Sequence, residues 1–540
     1  MKKFVLVGIS VLVMGMLVLT SCTPAAPTAP TTPTESMQSG TIRIGYPTFH
    51  GETINPETAT ANDKYRIHGG MLDFYFNYSN EGLEPGVVES FALAADGQSW
   101  TFNIRQGIKF HNGEDLMADD VKYSLDLVAG ESFHMSEQIT AQIESIDVVD
   151  DYTLRINTKG QRPFLTGILS NTTPGFPVYP KDYLESVGFE GYDENPIGSG
   201  PWKFVNHVSG DQYEFEAVDS HWRGTPEFKT MQLLLVPEET TAIAMMRTDS
   251  LDAFSVSLDN VPDVESYGAS IHQMDSRMVQ AFMLATQDPR AAADNSPLVD
   301  VNVRKALSLL LDRDLINEGL FNGQLGPVMP PGILAGMGDI NAKTYQDYAA
   351  TLHYYNLDEA KKLLTDAGYG GGFNVDFYVA PRVQEPYLLK VAETMQGMWL
   401  EAGVNAELNV MDWGALKPRV QGGDMPPEDE LVGTIFLTSR GWWPTATQGG
   451  YAIYHSVLRS YFLLSKSWPQ YDELSDAIDS ELDPAKRTEM IDELYKMVTP
   501  LYVSIPVGQG PSLFAVASHI DVSVPPQTQF TQVAAFAKHK

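Results

Sequence analysis

Between Trp100 and Arg105 the chain alternates, with Trp100, Phe102 and Ile104 interleaved with Thr101, Asn103 and Arg105. That period of two predicts a strand with one buried face. Asp96-Gly97 ahead of it permits positive φ and predicts a hairpin turn, and Asn112-Gly113 predicts a second turn. Val121, Leu125 and Val128 then fall at helical spacing behind Asp119-Asp120, whose charges suit a helix N-terminus. The same patterns predict strands at Thr41 to Pro47, Asp150 to Asn157, Met231 to Pro237, Ala406 to Val410 and Val503 to Pro506. They predict helices at Glu238 to Thr248, behind Asp300 through Val303, Ala306, Leu307 and Leu310, and through Leu388, Ala392, Met395 and Trp399. A helix behind Asn356 and Glu359, a possible capping box, carries Ala360, Leu363, Leu364 and Ala367 and ends at Gly368. Another holds Arg487, Met490, Leu494 and Met497. Helices and strands alternate in both halves, which predicts an α/β protein with mixed sheets.

The order of these parts resembles the extracellular solute-binding proteins of family 5, the oligopeptide, dipeptide and nickel class of ABC-importer receptors. Pro85, Glu89, Ser90, Asp96, Gly97, Trp100, Thr101, Phe102, Arg105, Gly107, Lys109, Phe110, His111, Gly113, Ala118, Asp120 and Val121 carry the main match. Asn55-Pro56, the run Ile197 to Trp202, DSHWRG from Asp219, Val303 to Ala306 with Leu311 to Arg313, and YNLDEAKKLLTDAGY from Tyr355 add to it. Met117 departs from the pattern, standing where the family usually has a Thr able to cap the helix. The resemblance implies a periplasmic-binding-protein-like fold: two α/β lobes with mixed sheets, a hinge of two crossing segments, and an extra domain inserted in the first lobe. It implies a discontinuous first lobe at 40–82, 196–287 and 500–540, an inserted domain at 83–195, and a second lobe at 288–499.

At 540 residues the chain exceeds one hydrophobic core, and 43% hydrophobic with 10% aromatic residues rules out a disordered chain. A net charge of −33 argues against nucleic-acid binding, which needs a basic face. Lys2-Lys3, the apolar run Phe4 to Leu19 and Leu19-Thr20-Ser21-Cys22 resemble a lipoprotein signal peptide ending in a lipobox. The expectation is a signal peptide over 1–21, a lipid on Cys22, a Pro-rich tether over 22–39, and a soluble body outside the cytoplasmic membrane. Cys22 is the only cysteine, so neither an intrachain disulfide nor a cysteine metal site is expected.

Two classes of function fit. A two-lobed receptor encloses a solute at the lobe interface and hands it to an ABC permease; a secreted hydrolase would use paired carboxylates. No Gly-x-Ser-x-Gly, His-Glu-x-x-His or phosphate-cradling loop supports the enzyme, and the conspicuous acidic pairs sit at helix starts. No cofactor or metal is expected, His111 is read as a turn residue, and a monomer attached to the membrane only through its lipid is anticipated.

Receptors of this family that bind peptides hold the α-ammonium with an Asp shortly after a Gly-Trp. Here Gly441-Trp442 is followed by Trp443-Pro444-Thr445-Ala446-Thr447, without the Asp. A buried ammonium without a carboxylate is costly, so the expected solute is an oligosaccharide or small organic acid rather than a peptide, unless Asp412 or Asp424 meets the amine. Arg440 suits a carboxylate and Trp442 and Trp443 offer flat apolar faces. Adjacent in an extended segment, the two tryptophans point opposite ways, one to core and one to cleft. Trp413, Tyr46, Phe49, His50 and Gln280 complete the candidate binding residues.

Overall fold

The protein is described by a computed structural model covering residues 39–49, 51–59, 67–79, 82–130, 139–171, 176–273, 277–284, 286, 291–292, 294–334, 337, 340–380, 385, 387–421, 431–441, 446, 449–450, 455, 468–522 and 535–540. Thr41–Tyr46 lies at the middle of a seven-stranded sheet, where Ile42 and Ile44 are fully buried as their alternation predicts. It runs parallel to Thr230–Leu235 on one side and Ala253–Val256 on the other. Antiparallel strands extend the sheet outward, Gln212–Ala217 and Trp202–Val208 on one side, Leu513–Val516 and Ser270–Gln273 on the other.

A five-stranded sheet is ordered Val404–Val410, Phe373–Val379, Ile435–Arg440, Arg277–Met283, Ser504–Gly510. Its first three strands are parallel, and Arg277–Met283 is antiparallel to both neighbours. One face packs on the helices Val301–Leu309, Leu357–Asp366 and Tyr387–Leu400; the other packs on Pro469–Ser480 and Pro484–Val498. The chain passes between the two large sheets twice, from Gln273 to Arg277 and from Gly510 to Leu513. This is the two-lobe α/β fold with a hinge of two crossing segments. The strands Arg277–Met283 and Ser504–Gly510 fall inside segments expected to belong to the first lobe, yet they pair in the second sheet. A period-two pattern marks a strand without naming its neighbours.

A four-stranded antiparallel sheet, Val88–Leu93, Ser99–Ile104, Thr153–Thr158 and Ile143–Asp150, forms the inserted region with the helix Ala118–Val128 across it. Met117 cannot cap that helix, and Asp120 does the work from inside it: its Oδ2 accepts from the Met117 N–H at 2.9 Å.

His111 and Arg105 fix this region on the first lobe, against loops that a buried carboxylate holds in place. His111 Nδ1 accepts from the Gly198 N–H at 3.1 Å, so Nε2 carries the proton and donates to the Gly200 carbonyl at 2.9 Å. Desolvation holds its pKa down at about 4. Asp73, 1% exposed, lies beside it and gathers four donors. Its Oδ2 accepts from Ser199 Oγ (3.2 Å), His221 Nε2 (3.2 Å) and Trp222 Nε1 (3.0 Å), and its Oδ1 from Arg223 Nη2 (2.7 Å). Burial works to raise the Asp73 pKa, but the Arg223 charge and these donors bring it below the usual carboxylate range. The HWR run of DSHWRG is thus the donor set of one buried carboxylate, and the Arg105 guanidinium covers the Trp222 ring at 4.5 Å.

Candidate functional site

In α/β sheets, ligands collect at the carboxyl ends of parallel strands. In the seven-stranded sheet those ends are Tyr46, Leu235 and Val256, and Val256 pairs with Leu513, where the second crossing segment enters. In the five-stranded sheet they are Val379, Val410 and Arg440, and Arg440 pairs with Met278, one residue from the end of the first crossing. Register therefore brings the carboxyl ends of both sheets to the hinge, where a solute enclosed by the lobes would lie.

Arg440 ends its strand there, partly buried. Gln280 is fully buried on the same sheet face, two residues along from Arg440's partner Met278. Its Oε1 accepts from Ser504 Oγ at 2.8 Å, which turns Nε2 away from Ser504, and among the described residues Nε2 has no acceptor. Met278, Gln280, Gly332, Ile333, Leu334, Arg440, Gly441 and Gly449 line a void of about 10 Å³, room for one oxygen-sized atom. A wider groove of about 630 Å³ lies against Arg105, Asp150, Tyr152 and Trp222, on the inserted region and away from the hinge.

The other candidates separate. Tyr46 and Phe49 were read as cleft faces, but both pack into the first lobe's core at 4% and 3% exposure. Tyr46, at the end of the central strand, lies edge-on to Phe514, and Phe49, in the loop just beyond it, lies edge-on to Tyr213 at 5.3 Å. Trp413 begins the helix Trp413–Gln421, half-buried, its ring stacked on Phe436 at 6.1 Å and 14°. Phe436 shares a sheet face with Arg440. Asp412 is exposed and caps the Gly414 N–H at 2.7 Å. His50, Trp442, Trp443, Asp424 and Cys22 lie outside the described residues.

Sequence reasoning missed Glu385. It is 2% exposed, between the strand Phe373–Val379 and the helix Tyr387–Leu400, and pairs with Arg277 Nε at 2.5 Å, which also reaches Ser439 Oγ at 3.0 Å. Of the described buried acids Asp73, Asp120, Asp252 and Glu385, only Glu385 stands at the hinge. An isolated Glu between two prolines carries no periodic or motif signal. Among the described residues no group of three His, Cys, Asp or Glu side chains is placed to hold a metal, and no helix is long and apolar enough to cross a membrane.

Two lobes joined by two short crossings, with a polar site where the sheets meet, define a solute receptor that closes by hinge motion. The model of the bacterial extracellular solute-binding proteins, family 5, matches residues 82–432, and the chain belongs to that family, the solute-binding component of ABC importers. Heme-binding protein A of Haemophilus influenzae is 26% identical over 380 residues, 65% of this chain and 66% of the relative. The dipeptide-binding protein of Escherichia coli (strain K12) is 25% identical over 409 residues, 69% of this chain and 72% of the relative. Among solved structures, MoaA from A. tumefaciens R10 in complex with mannopinic acid superposes with a TM-score of 0.75 at 20% identity, over 93% of this chain and 100% of the other. Oligopeptide-binding AppA from Bacillus subtilis in complex with a nonapeptide gives 0.74 at 18%, over 93% and 99%. The relatives are solute-binding proteins, and nothing among them supports the hydrolase alternative.

Proposed function

We propose that this receptor captures a solute that presents oxygen atoms, a small carboxylic acid or an oligosaccharide, rather than a free peptide ammonium. The observation that carries the reading is the balance of hydrogen-bonding groups at the hinge. Among the described residues Gln280 offers a buried donor without an acceptor, Arg440 stands beside it, and the one buried carboxylate at the hinge, Glu385, is already held by Arg277. Among the described residues at the hinge no unengaged anion would meet an ammonium entering there, whereas a carboxylate or hydroxyl oxygen would satisfy a donor. Relatives of the same fold span both chemistries, with mannopinic acid in one and a nonapeptide in another. Trp413 and one member of the Trp442-Trp443 pair are the candidates for aromatic faces that would suit sugar rings.

Thermal unfolding with added compounds tests the reading, since a ligand of the native state alone raises the midpoint. Sugar acids or neutral oligosaccharides should raise it and dipeptides should leave it unchanged, with the response lost in Arg440→Ala. Stabilisation by dipeptides alone would contradict it.

We further propose that Cys22 carries a lipid that holds the receptor, a monomer, at the outer face of the membrane beside its permease. Metabolic labelling with a fatty acid should mark the wild type and not Cys22→Ser; a labelled mutant would sink this assignment.

A further inference from the structure

We infer that the inserted domain has a role of its own: it is a docking surface that clasps the second lobe and favours the closed receptor before any solute arrives. The surface is built from the turn at Asp96-Gly97 and the segment Gln161 to Phe164. Three internal bonds tie these together. The Arg162 N–H donates to the Gly97 carbonyl at 3.1 Å, Gln161 Nε2 to the Asp96 carbonyl at 3.1 Å, and Trp100 Nε1 to the Arg162 carbonyl at 2.9 Å.

What it meets is the corner between the helices Pro469–Ser480 and Pro484–Val498. Leu482 seats in the turn: a Cβ added to Gly97, whose φ is +71°, would come within 2.9 Å of the Leu482 side chain. Arg162 Nη1 donates to Ser480 Oγ at 3.0 Å. The Arg487 guanidinium lies 4.1 Å from the centre of the Phe164 ring, while its Nη1 is held by the Glu481 carbonyl at 3.1 Å. One apolar insertion, one hydrogen bond and one cation–π contact thus join segments more than 300 residues apart.

These contacts cross the hinge. The inserted sheet is fixed on the first lobe through His111 on the Gly198 to Gly200 loop and Arg105 on Trp222, so its turn travels with that lobe. Tyr471, Ile478, Ile491 and Leu494 bury the two helices against the five-stranded sheet, so the corner travels with the second lobe. Any lobe movement that carries this corner away from the turn pulls Leu482, Ser480 and Arg487 from their partners. Each contact is weak enough to break and reform, and together they bias the open–closed equilibrium without contributing to the solute site.

The test is double electron–electron resonance on the full chain, unfolded and refolded to remove any co-purified solute. Spin labels go on Val149→Cys and Leu400→Cys, exposed positions of the inserted sheet and the second lobe, in a Cys22→Ser background so that no other thiol reacts. The ratio of closed to open distances should fall at least about three-fold in Phe164→Ala/Arg487→Ala, the size expected of one cation–π contact. Leu482→Ser should act in the same direction, and Arg487→Lys should recover part of the ratio. Thermal unfolding of each variant verifies that it folds. A ratio that changes less than this in both Phe164→Ala/Arg487→Ala and Leu482→Ser overturns the inference, and the result is independent of which solute the receptor takes.

Discussion

Asp73 shows how much one residue can organise. It is nearly inaccessible, carries its charge against burial, and is satisfied by Arg223, His221, Trp222 and Ser199 from two later loops. Removing one partner of a buried pair leaves the other charge uncompensated, so Asp73→Ala should cost about 3–5 kcal/mol. Denaturant unfolding measures this, and a loss under about 1 kcal/mol would show that the network contributes little. The sequence displayed the donors of this network as a motif and hid the acceptor. HWR is contiguous, but Asp73 lies 148 residues from His221, and nothing in a run such as Met71-Leu72-Asp73 announces a partner so distant. Glu385 escaped for the same reason. Tyr46 and Phe49 were misjudged because an aromatic at a strand end reads alike whether the end is open or covered.

Elements were more legible, because their signals are local. The predicted caps are present: Asp300 accepts from the Asn302 N–H at 2.8 Å and Asn356 from the Glu359 N–H at 3.0 Å. The hairpin and strand between Asp96 and Ile104 fold as their pattern reads. Sheet membership was not legible, since Arg277–Met283 and Ser504–Gly510 find their neighbours only in three dimensions. The junction between the turn at His111 and the Gly198 to Gly200 loop makes a prediction at this scale. The folded-state pKa of His111 is about 4, below the ordinary value near 6.5, so between those values the unfolded chain binds the extra proton. The stabilisation is fully present above pH about 6.5 and is lost as pH falls from there toward 4. Unfolding measured at several pH values should show this loss reduced in His111→Gln. An identical pH profile in the variant would contradict the junction's role.

For the molecule as a whole, family and fold were legible and the solute was not. The motifs that spell the family lie in the inserted region, in loops of the first lobe and in helices of the second, and none of their residues lines the void at Arg440 and Gln280. The segment that would name the ligand by its residues, around Trp442, does so only by lacking a carboxylate. The proposed receptor encloses one oxygen-rich solute without a peptide ammonium, gripped near Arg440 and Gln280. Native mass spectrometry of the receptor as purified tests this most directly, since closing lobes retain what they enclose. One bound small carboxylic acid or oligosaccharide per chain, absent from Arg440→Ala, is the predicted result; a bound di- to pentapeptide would contradict it.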